Sequence, residues 1–260
     1  MNRPDPPERH LLLSVLSSLL LLLAWDVVTR FGFVDRILLP SPWTIAGAFK
    51  DVLLHGYAAV GIFVHIGASL WRILLAFGLA TVCGVTIGLL RGVYPRFDAF
   101  CLVPFEVIRP IPPLAFIPLF ILWFGIGELS KVLIIFYYAM LIIMLNTQAG
   151  VTQCPPDKIR AARSLGATSR QVFFRVVLPA SAPQIVVGLR VALAAALSIL
   201  VASELLGGDR GLGFVISDAS TFFKTNDVFV GIILIGLIGL ISDRGIALLS
   251  RRLVHWEGKS

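Results

Sequence analysis

Six long apolar stretches constrain what this chain can fold into more than any other feature. They cover about residues 11–32, 59–90, 97–124, 131–147, 184–206 and 227–248. About 20 predominantly apolar residues in a helix cross the hydrocarbon core of a bilayer. The overall balance agrees: 57% of residues are hydrophobic, 14% are charged and mean hydropathy is +0.91, whereas soluble proteins carry roughly 25% charged residues. The expected fold class is an all-α integral membrane protein with about six transmembrane helices. The first run begins like a secretory leader, with Arg3 and Arg9 ahead of an apolar run from Leu11 to Ala24. Trp25 and Asp26 stand where small cleavage-site residues would be needed, and the apolar pattern then resumes as far as Phe33. It is therefore expected to stay as an uncleaved span.

The breaks between the runs carry their own information. Leu38-Leu39-Pro40-Ser41-Pro42 ends the first helix, and Ser41 followed by Pro42 is a favoured start for another. Residues 42–54 place Trp43, Ile45, Ala46, Phe49, Val52 and Leu53 near i, i+3, i+4 spacing, away from Lys50 and Asp51. That is the pattern of a short helix lying in the membrane interface. The 59–90 run exceeds one straight crossing, so tilt or an interfacial start is expected, and Gly84-x-x-x-Gly88 permits close approach of a second helix. Arg91 to Arg96 reads as a short basic loop. Within 97–124, Pro110, Pro112 and Pro113 remove backbone donors and forbid a regular helix. Irregular backbone at membrane depth is tolerated only against protein or a water-filled cavity. Arg109, Pro110, Pro112 and Pro113 are accordingly expected to line a cavity, with Arg109 and Glu106 spaced i, i+3 for pairing. Gly207 to Gly213 reads as a flexible connection.

Lysine and arginine positions orient the chain. With the N-terminus in the cytosol, about thirteen cations fall on inner loops and tails; about six (Arg30, Arg36, Lys50, Lys131, Arg210 and Lys224) fall outside. Both termini are then cytosolic, and so is 157–179, the one long polar segment. Five of its residues are cationic: Lys158, Arg160, Arg163, Arg170 and Arg175. Its apolar residues nevertheless recur at helical spacing. Pro156 opens a helix to about Leu165, with Ile159, Ala162 and Leu165 in a narrow stripe flanked by Ala161, and Gly166 is placed to end it with positive φ. A second helix, capped near Ser169, presents Val172, Phe173, Val176 and Val177 and stops at Leu178-Pro179. Two short amphipathic helices about a glycine bend form a docking surface on which small alanines let another backbone come close. A DNA-reading helix-turn-helix shares those parts, but spans ending near 147 and starting near 184 clamp the unit against a membrane, so no nucleic-acid partner is expected. An inert solvated loop would not need two apolar faces.

At this point the chain resembles a family. Ala161-Ala162-x3-Gly166 followed by Leu178-Pro179 is similar to the EAA loop of ABC-importer permeases, and RPIPPLAFIPLFILWFGIGELSK (109–131) resembles the binding-protein-dependent permeases for sulfonates, taurine, nitrate and related small anions. The likeness runs from about Leu39 to Trp256 and includes LLPSP, SELLGGDRGLGF and TNDVFVGI. The resemblance implies a type I ABC importer permease fold in the inner (cytoplasmic) membrane, built as a homodimer. It implies two cytosolic ATPase subunits docked on the helix of Ala161 and Ala162, and a periplasmic or lipid-anchored binding protein that delivers substrate. The implied coupling residues are Asp157, Arg160, Ala161, Ala162, Leu165, Gly166, Leu178 and Pro179. Arg160 departs from the motif, which has a glutamate there; Asp157, one turn earlier, is the acid that stands nearby. Ile-Arg-Ala-Ala at 159–162 and the ending His255-Trp256-Glu257-Gly258 resemble taurine-type permeases, so transport of a small organosulfonate such as taurine is the expected function. Alkanesulfonate, nitrate, bicarbonate or a thiamine- or riboflavin-type precursor are the alternatives. The expected organisation is a cytoplasmic tail (1–10), a first transmembrane helix with the external interfacial helix (11–58), a permease core (59–250) with its cytoplasmic coupling loop (149–183), and a second tail (251–260).

Other chemistries find no support in the residues. There is no GxxxxGK[ST] run, so this chain is expected to bind no cofactor, ATP and Mg belonging to the partner ATPase. Neither HExxH, nor paired carboxylates on one helix face, nor a Ser/His/Asp grouping stands out, and no enzyme activity is expected. Cys83, Cys101 and Cys154 lack metal or disulfide spacing, and the four histidines are dispersed. An ATPase-independent channel or carrier fits less well, because no inverted repeat is evident. For the translocation pathway, the proline segment is joined by Trp123, alternatively one of an aromatic belt with Phe124, and by Glu204. An intramembrane acid is costly; Glu204 would either attract the ammonium of a zwitterionic sulfonate or form a salt bridge with Arg72 or Arg210. Arg190 is placed to snorkel to the interface.

Overall fold

The computed structural model describes residues 7–206 and 208–253; the side chains of 7–12, 249 and 251–253 are outside that description. Residues 1–6 and 254–260 of the two expected tails, including Arg3, Lys259 and the 255–258 ending, as well as Gly207, lie outside the described residues. All regular elements among the described residues are helical: α1 (Pro7–Arg30), α2 (Pro42–His55), α3 (Ile62–Val93), α4 (Pro95–Ile108), α5 (Ile117–Phe124, entered through a 3-10 turn at Pro113–Phe116), α6 (Glu128–Thr152), α7 (Pro156–Ser164), α8 (Ser169–Val172), α9 (Leu178–Leu205), α10 (Leu212–Thr221) and α11 (Thr225–Leu253). Five of the helical runs are long and apolar enough to cross a bilayer. A sixth crossing requires α4 and the 3-10/α5 segment together, and these are bent by 86° at the proline break.

The chain divides into two compact units: residues 1–65 with 215–233, and residues 66–214 with 234–260. In the first unit, Ser41 caps α2 by accepting from the Thr44 amide at 3.3 Å, with Pro42 at the first helical position. The helix expected over 42–54 is present as α2, with Ile45 and Val52 buried and Trp43 exposed. Trp25 Nε1 donates to the Pro40 carbonyl at 3.1 Å, and the Tyr57 hydroxyl donates to Asp218 Oδ2 at 2.8 Å. The leucines of α1 from Leu13 to Leu23 are exposed on every side, as expected of a helix bathed in lipid.

The second unit packs around α6. One core joins Ile73, Ala76 and Ala80 of α3 to Ile134, Ile135, Ala139 and Ile143 of α6 and to Ala192, Ala196, Ile199 and Leu200 of α9. Small residues set the spacing. A methyl added at Gly84 would lie 2.9 Å from the Met140 carbonyl oxygen, and one at Gly88 would lie 2.6 Å from that of Met144. The close approach expected from Gly84 and Gly88 is present, and Gly92 extends the same stripe onto Val151.

Two expectations are corrected here. The basic loop of 91–96 is almost entirely helical, broken only at Tyr94; Arg91 is buried and bonded to Asp98 at 2.8 Å. The second loop helix does not stop at Leu178-Pro179 but runs on through a π-helical stretch, Phe173–Val177, into α9. In that stretch the Leu178 amide bonds to the Phe173 carbonyl, five residues back. A proline has no amide to donate and its ring clashes with the carbonyl four residues back; the wider π turn immediately ahead of Pro179 takes up that mismatch. Beyond the glycine-rich segment the chain forms a further ten-residue helix, α10.

Candidate functional site

The segment expected to dock a partner folds as a helix, a glycine bend and the head of a long membrane helix. α7 begins with Pro156 and carries Asp157 in its first turn, where an acid opposes the positive end of the helix dipole. Its end is a full Schellman closure: the Gly166 amide bonds to the Arg163 carbonyl at 2.9 Å and the Ala167 amide to the Ala162 carbonyl at 3.1 Å. Gly166 has φ +80°, the left-handed region expected for it from sequence. The following helix is capped by Thr168 rather than Ser169. Thr168 accepts from the Gln171 amide at 3.3 Å while Gln171 Oε1 accepts from the Thr168 amide at 2.8 Å, a reciprocal capping box.

The apolar stripe of α7 divides between two directions. Ile159 and Ala162 turn inward onto a cluster built from Val151 of α6, Cys154, Val172 of α8 and Val177, with Leu89 and Val93 of α3 alongside. Leu165 does not join them; it is 89% exposed. Ala161 and Gly166 are exposed as well. One side of α7 is thus fastened to the ends of α3, α6 and the α8–α9 helix, and the other presents Ala161, Leu165 and Gly166 beside a row of cations. Arg160 forms an ion pair with Asp157 on this exposed side. Leu178 and Pro179 are half-buried and sit within the continuous helix. Burial pushes the Cys154 thiol above its ordinary range, with nearby Lys158 working in the opposite direction.

A second constellation gathers around Glu204, which is 1% exposed. Arg72 Nη1 donates to Glu204 Oε1 at 2.7 Å and to the Arg210 carbonyl at 2.9 Å, while Arg72 Nε donates to Glu128 Oε2 at 2.6 Å. The Ser69 hydroxyl lies 2.8 Å from Glu204 Oε1, and the Gly213 amide donates to Oε2 at 2.8 Å. Lys131 stands 3.9 Å from Glu128. Two cations and two carboxylates thereby balance, with Arg72, Lys131 and Glu204 buried and the Glu128 side chain still exposed. Of the two roles open to Glu204, the salt bridge with Arg72 is the one whose geometry is present. The 208–213 segment, expected to be a flexible connection, is instead pinned to this cluster. Gly211, at φ +122°, comes so close that a methyl there would lie 2.4 Å from the Glu204 carboxyl carbon.

The remaining sequence candidates are separate from both constellations. Arg109 caps α4 and lies 3.6 Å from Glu106, as their spacing predicts. Pro110 and Pro112 are exposed and Pro113 is half-buried in the turn into α5. Trp123 is exposed and its ring stands 6.1 Å from that of Phe120. Arg190 does not simply snorkel: its Nε and Nη2 donate to the two carboxylate oxygens of Asp243 at 2.8 and 2.9 Å. Sequence reasoning missed Ser69, Glu128 and Asp243. The signal for Asp243 was its own cost, an acid in an apolar run; Ser69 gave none, since a serine in such a run is unremarkable until the fold brings an acid to it.

Comparison with known proteins agrees with this architecture. The family described as "Binding-protein-dependent transport system inner membrane component" matches residues 80–255. The taurine transport system permease protein of Escherichia coli (strain K12) is 37% identical over 98% of this chain and 93% of its own length. The nitrate import permease protein of Synechocystis sp. is 34% identical over 85% of this chain and 82% of its own. Among solved structures, a chain from inward-facing conformations of the MetNI methionine ABC transporter superposes with a TM-score of 0.62 over 74% of this chain and 95% of that one, at 18% identity. The helical fold is therefore that of the type I ABC importer permeases, and this chain belongs to the family of binding-protein-dependent transport system inner membrane components, as a multi-pass permease subunit of an ABC importer.

Proposed function

We propose that two copies of this chain form the transmembrane pathway of an ATP-driven importer for a small organosulfonate such as taurine, in the inner (cytoplasmic) membrane. Both termini and the 149–183 segment face the cytosol in this reading. Two ATPase subunits, which carry ATP and Mg, dock on α7, and a periplasmic or lipid-anchored binding protein delivers the substrate from the other side. The observation that carries the proposal is the two-sided character of α7. Its outer side offers Ala161, Leu165 and Gly166, small or strongly exposed groups onto which a partner's backbone can close. Its inner side is packed onto the ends of three long helices through Ile159 and Ala162. A displacement of α7 by the partner is handed directly to α3, α6 and α9, which is how closure of an ATPase pair alternates access to a pathway between them. Asp157 and Arg160 form a locally neutral pair where the family motif has one acid, so Asp157 is the residue proposed to meet a cation on the ATPase.

Taurine is favoured over nitrate because the taurine-transport relative is similar across 98% of this chain. Substrate-stimulated ATP hydrolysis by the reconstituted permease, ATPase and binding protein tests the proposal. Stimulation by taurine, with none from nitrate or bicarbonate, is expected. Uptake that proceeds without the ATPase would replace this reading with a channel or carrier.

A further inference from the structure

Charged pairs in the second unit differ in how tightly they are held. Arg72 is closed by two carboxylates, Arg91 by Asp98 and Arg190 by Asp243, all at 2.8 Å or less. Glu106 and Arg109 stand 3.6 Å apart, with side chains 56% and 61% exposed. They open onto a cavity of about 230 Å³, whose other walls include Phe105, Tyr138, Ile142 and Met144. Residues 138–145 lie about the middle of α6, Glu128–Thr152, so a bilayer crossed by that helix places this cavity near mid-depth. Charged groups at that depth face protein or a water-filled space rather than lipid. The proline break just beyond Arg109, whose prolines have no amide to donate to a helix, demands the same kind of environment.

A carboxylate and a guanidinium side by side in a small cavity complement a ligand that carries both signs of charge. We infer that Glu106 and Arg109 form a transit site for a small aminosulfonate zwitterion, Glu106 taking the ammonium and Arg109 the sulfonate. The inference rests on the importer reading above and sharpens it, because it places substrate selectivity in this chain as well as in a binding protein. A guanidinium matches the oxygens of a sulfonate in a fork geometry. The loose native pair separates without exposing a dry, unpartnered charge, whereas separating Arg72 from Glu204 would do so. A plain anion such as nitrate or ethanesulfonate satisfies Arg109 but leaves Glu106 facing a like charge. The site therefore selects against anions that lack an ammonium.

The test is direct binding of taurine, ethanesulfonate and nitrate to the full-length chain in lipid nanodiscs, without partners. Ethanesulfonate keeps the sulfonate and lacks the ammonium. Taurine is expected to bind at least about tenfold tighter, the effect of one charge-assisted hydrogen bond in a solvent-open site. Glu106→Gln should weaken taurine about tenfold and leave ethanesulfonate unchanged or tighter. Arg109→Gln should weaken both. Glu106→Asp and Arg109→Lys, which keep the charges, guard against loss of folding and should retain the taurine preference in part. Equal affinities for taurine and ethanesulfonate, an unchanged ratio in Glu106→Gln, or no taurine binding at all would overturn the inference. Whole-cell taurine uptake through the intact transporter reads the importer function separately. Normal uptake with a flat binding ratio removes only this site, and absent uptake removes the importer reading.

Discussion

Magnitudes at single residues separate two kinds of charge in this protein. Glu204 and Arg72 are buried, and each neutralises the other. Removing one partner of a buried pair leaves an unpaired charge and costs about 3–5 kcal/mol. Glu204→Ala is therefore expected to lower the thermal unfolding midpoint of the purified chain sharply, and an unchanged midpoint would show that Glu128 alone satisfies Arg72. The Asp157–Arg160 pair is the opposite case. Both groups are exposed, and such helix pairs are worth about 0.3–0.5 kcal/mol. Asp157→Asn should leave stability within about 0.5 kcal/mol, yet it should reduce substrate-stimulated ATP hydrolysis if Asp157 meets the ATPase. Full coupling in that variant would remove Asp157 from the docking surface. The sequence exposed the charges at both sites, Glu204 as an acid in an apolar run and Asp157 as an acid beside the cations of the one long polar segment. Which pairing forms was not decided: the residues left Arg72 and Arg210 both open as partners of Glu204, and spacing within one helix says nothing about which helices become neighbours.

At the scale of elements, glycine and proline were the most readable letters. Gly166 marked the end of α7 because its left-handed φ is cheap only for glycine. Gly84 and Gly88 marked the approach of α3 to α6, and a bulkier residue at either would press on backbone carbonyls. Gly88→Leu should cost about 1–3 kcal/mol or more, seen as loss of monodisperse protein in size-exclusion chromatography; normal yield would mean that α3 and α6 can part. Pro179 was misleading for a physical reason. Proline ordinarily stops a helix, but a π-helical stretch placed just before it allows continuation, and nothing in single-residue propensity announces a π turn. The packing beneath α7 carries a prediction of its own. Burial raises the Cys154 thiol pKa, which keeps the thiolate scarce at neutral pH. Maleimide should therefore modify Cys154 slowly, and Ile159→Ala, by loosening α7 from its cluster, should speed the reaction. Fast modification of the unaltered chain would show that α7 is not held down.

For the molecule as a whole, composition decided the solvent. A chain with this density of apolar residues buries its backbone in helices that face lipid, and lysine and arginine asymmetry orients them. The proposed orientation puts Leu165 in the cytosol. A cysteine introduced there should react with an impermeant maleimide in inverted membrane vesicles and not in intact spheroplasts; the reverse pattern would invert the whole topology. The sequence by itself determined the membrane helices, the broken crossing at Pro110 to Pro113 and the amphipathic segment at 157–165, because each follows from local periodicity, proline chemistry and the cost of putting charge in hydrocarbon. The tertiary structure alone decided which side of α7 is anchored and which is free, that the glycine-rich 208–213 segment is pinned to a buried carboxylate, and that Tyr138, Ile142 and Met144 of α6 wall the cavity beside Glu106 and Arg109. Those are properties of neighbours in space, and an apolar helix whose flanks look alike in sequence does not declare which flank meets protein and which meets lipid.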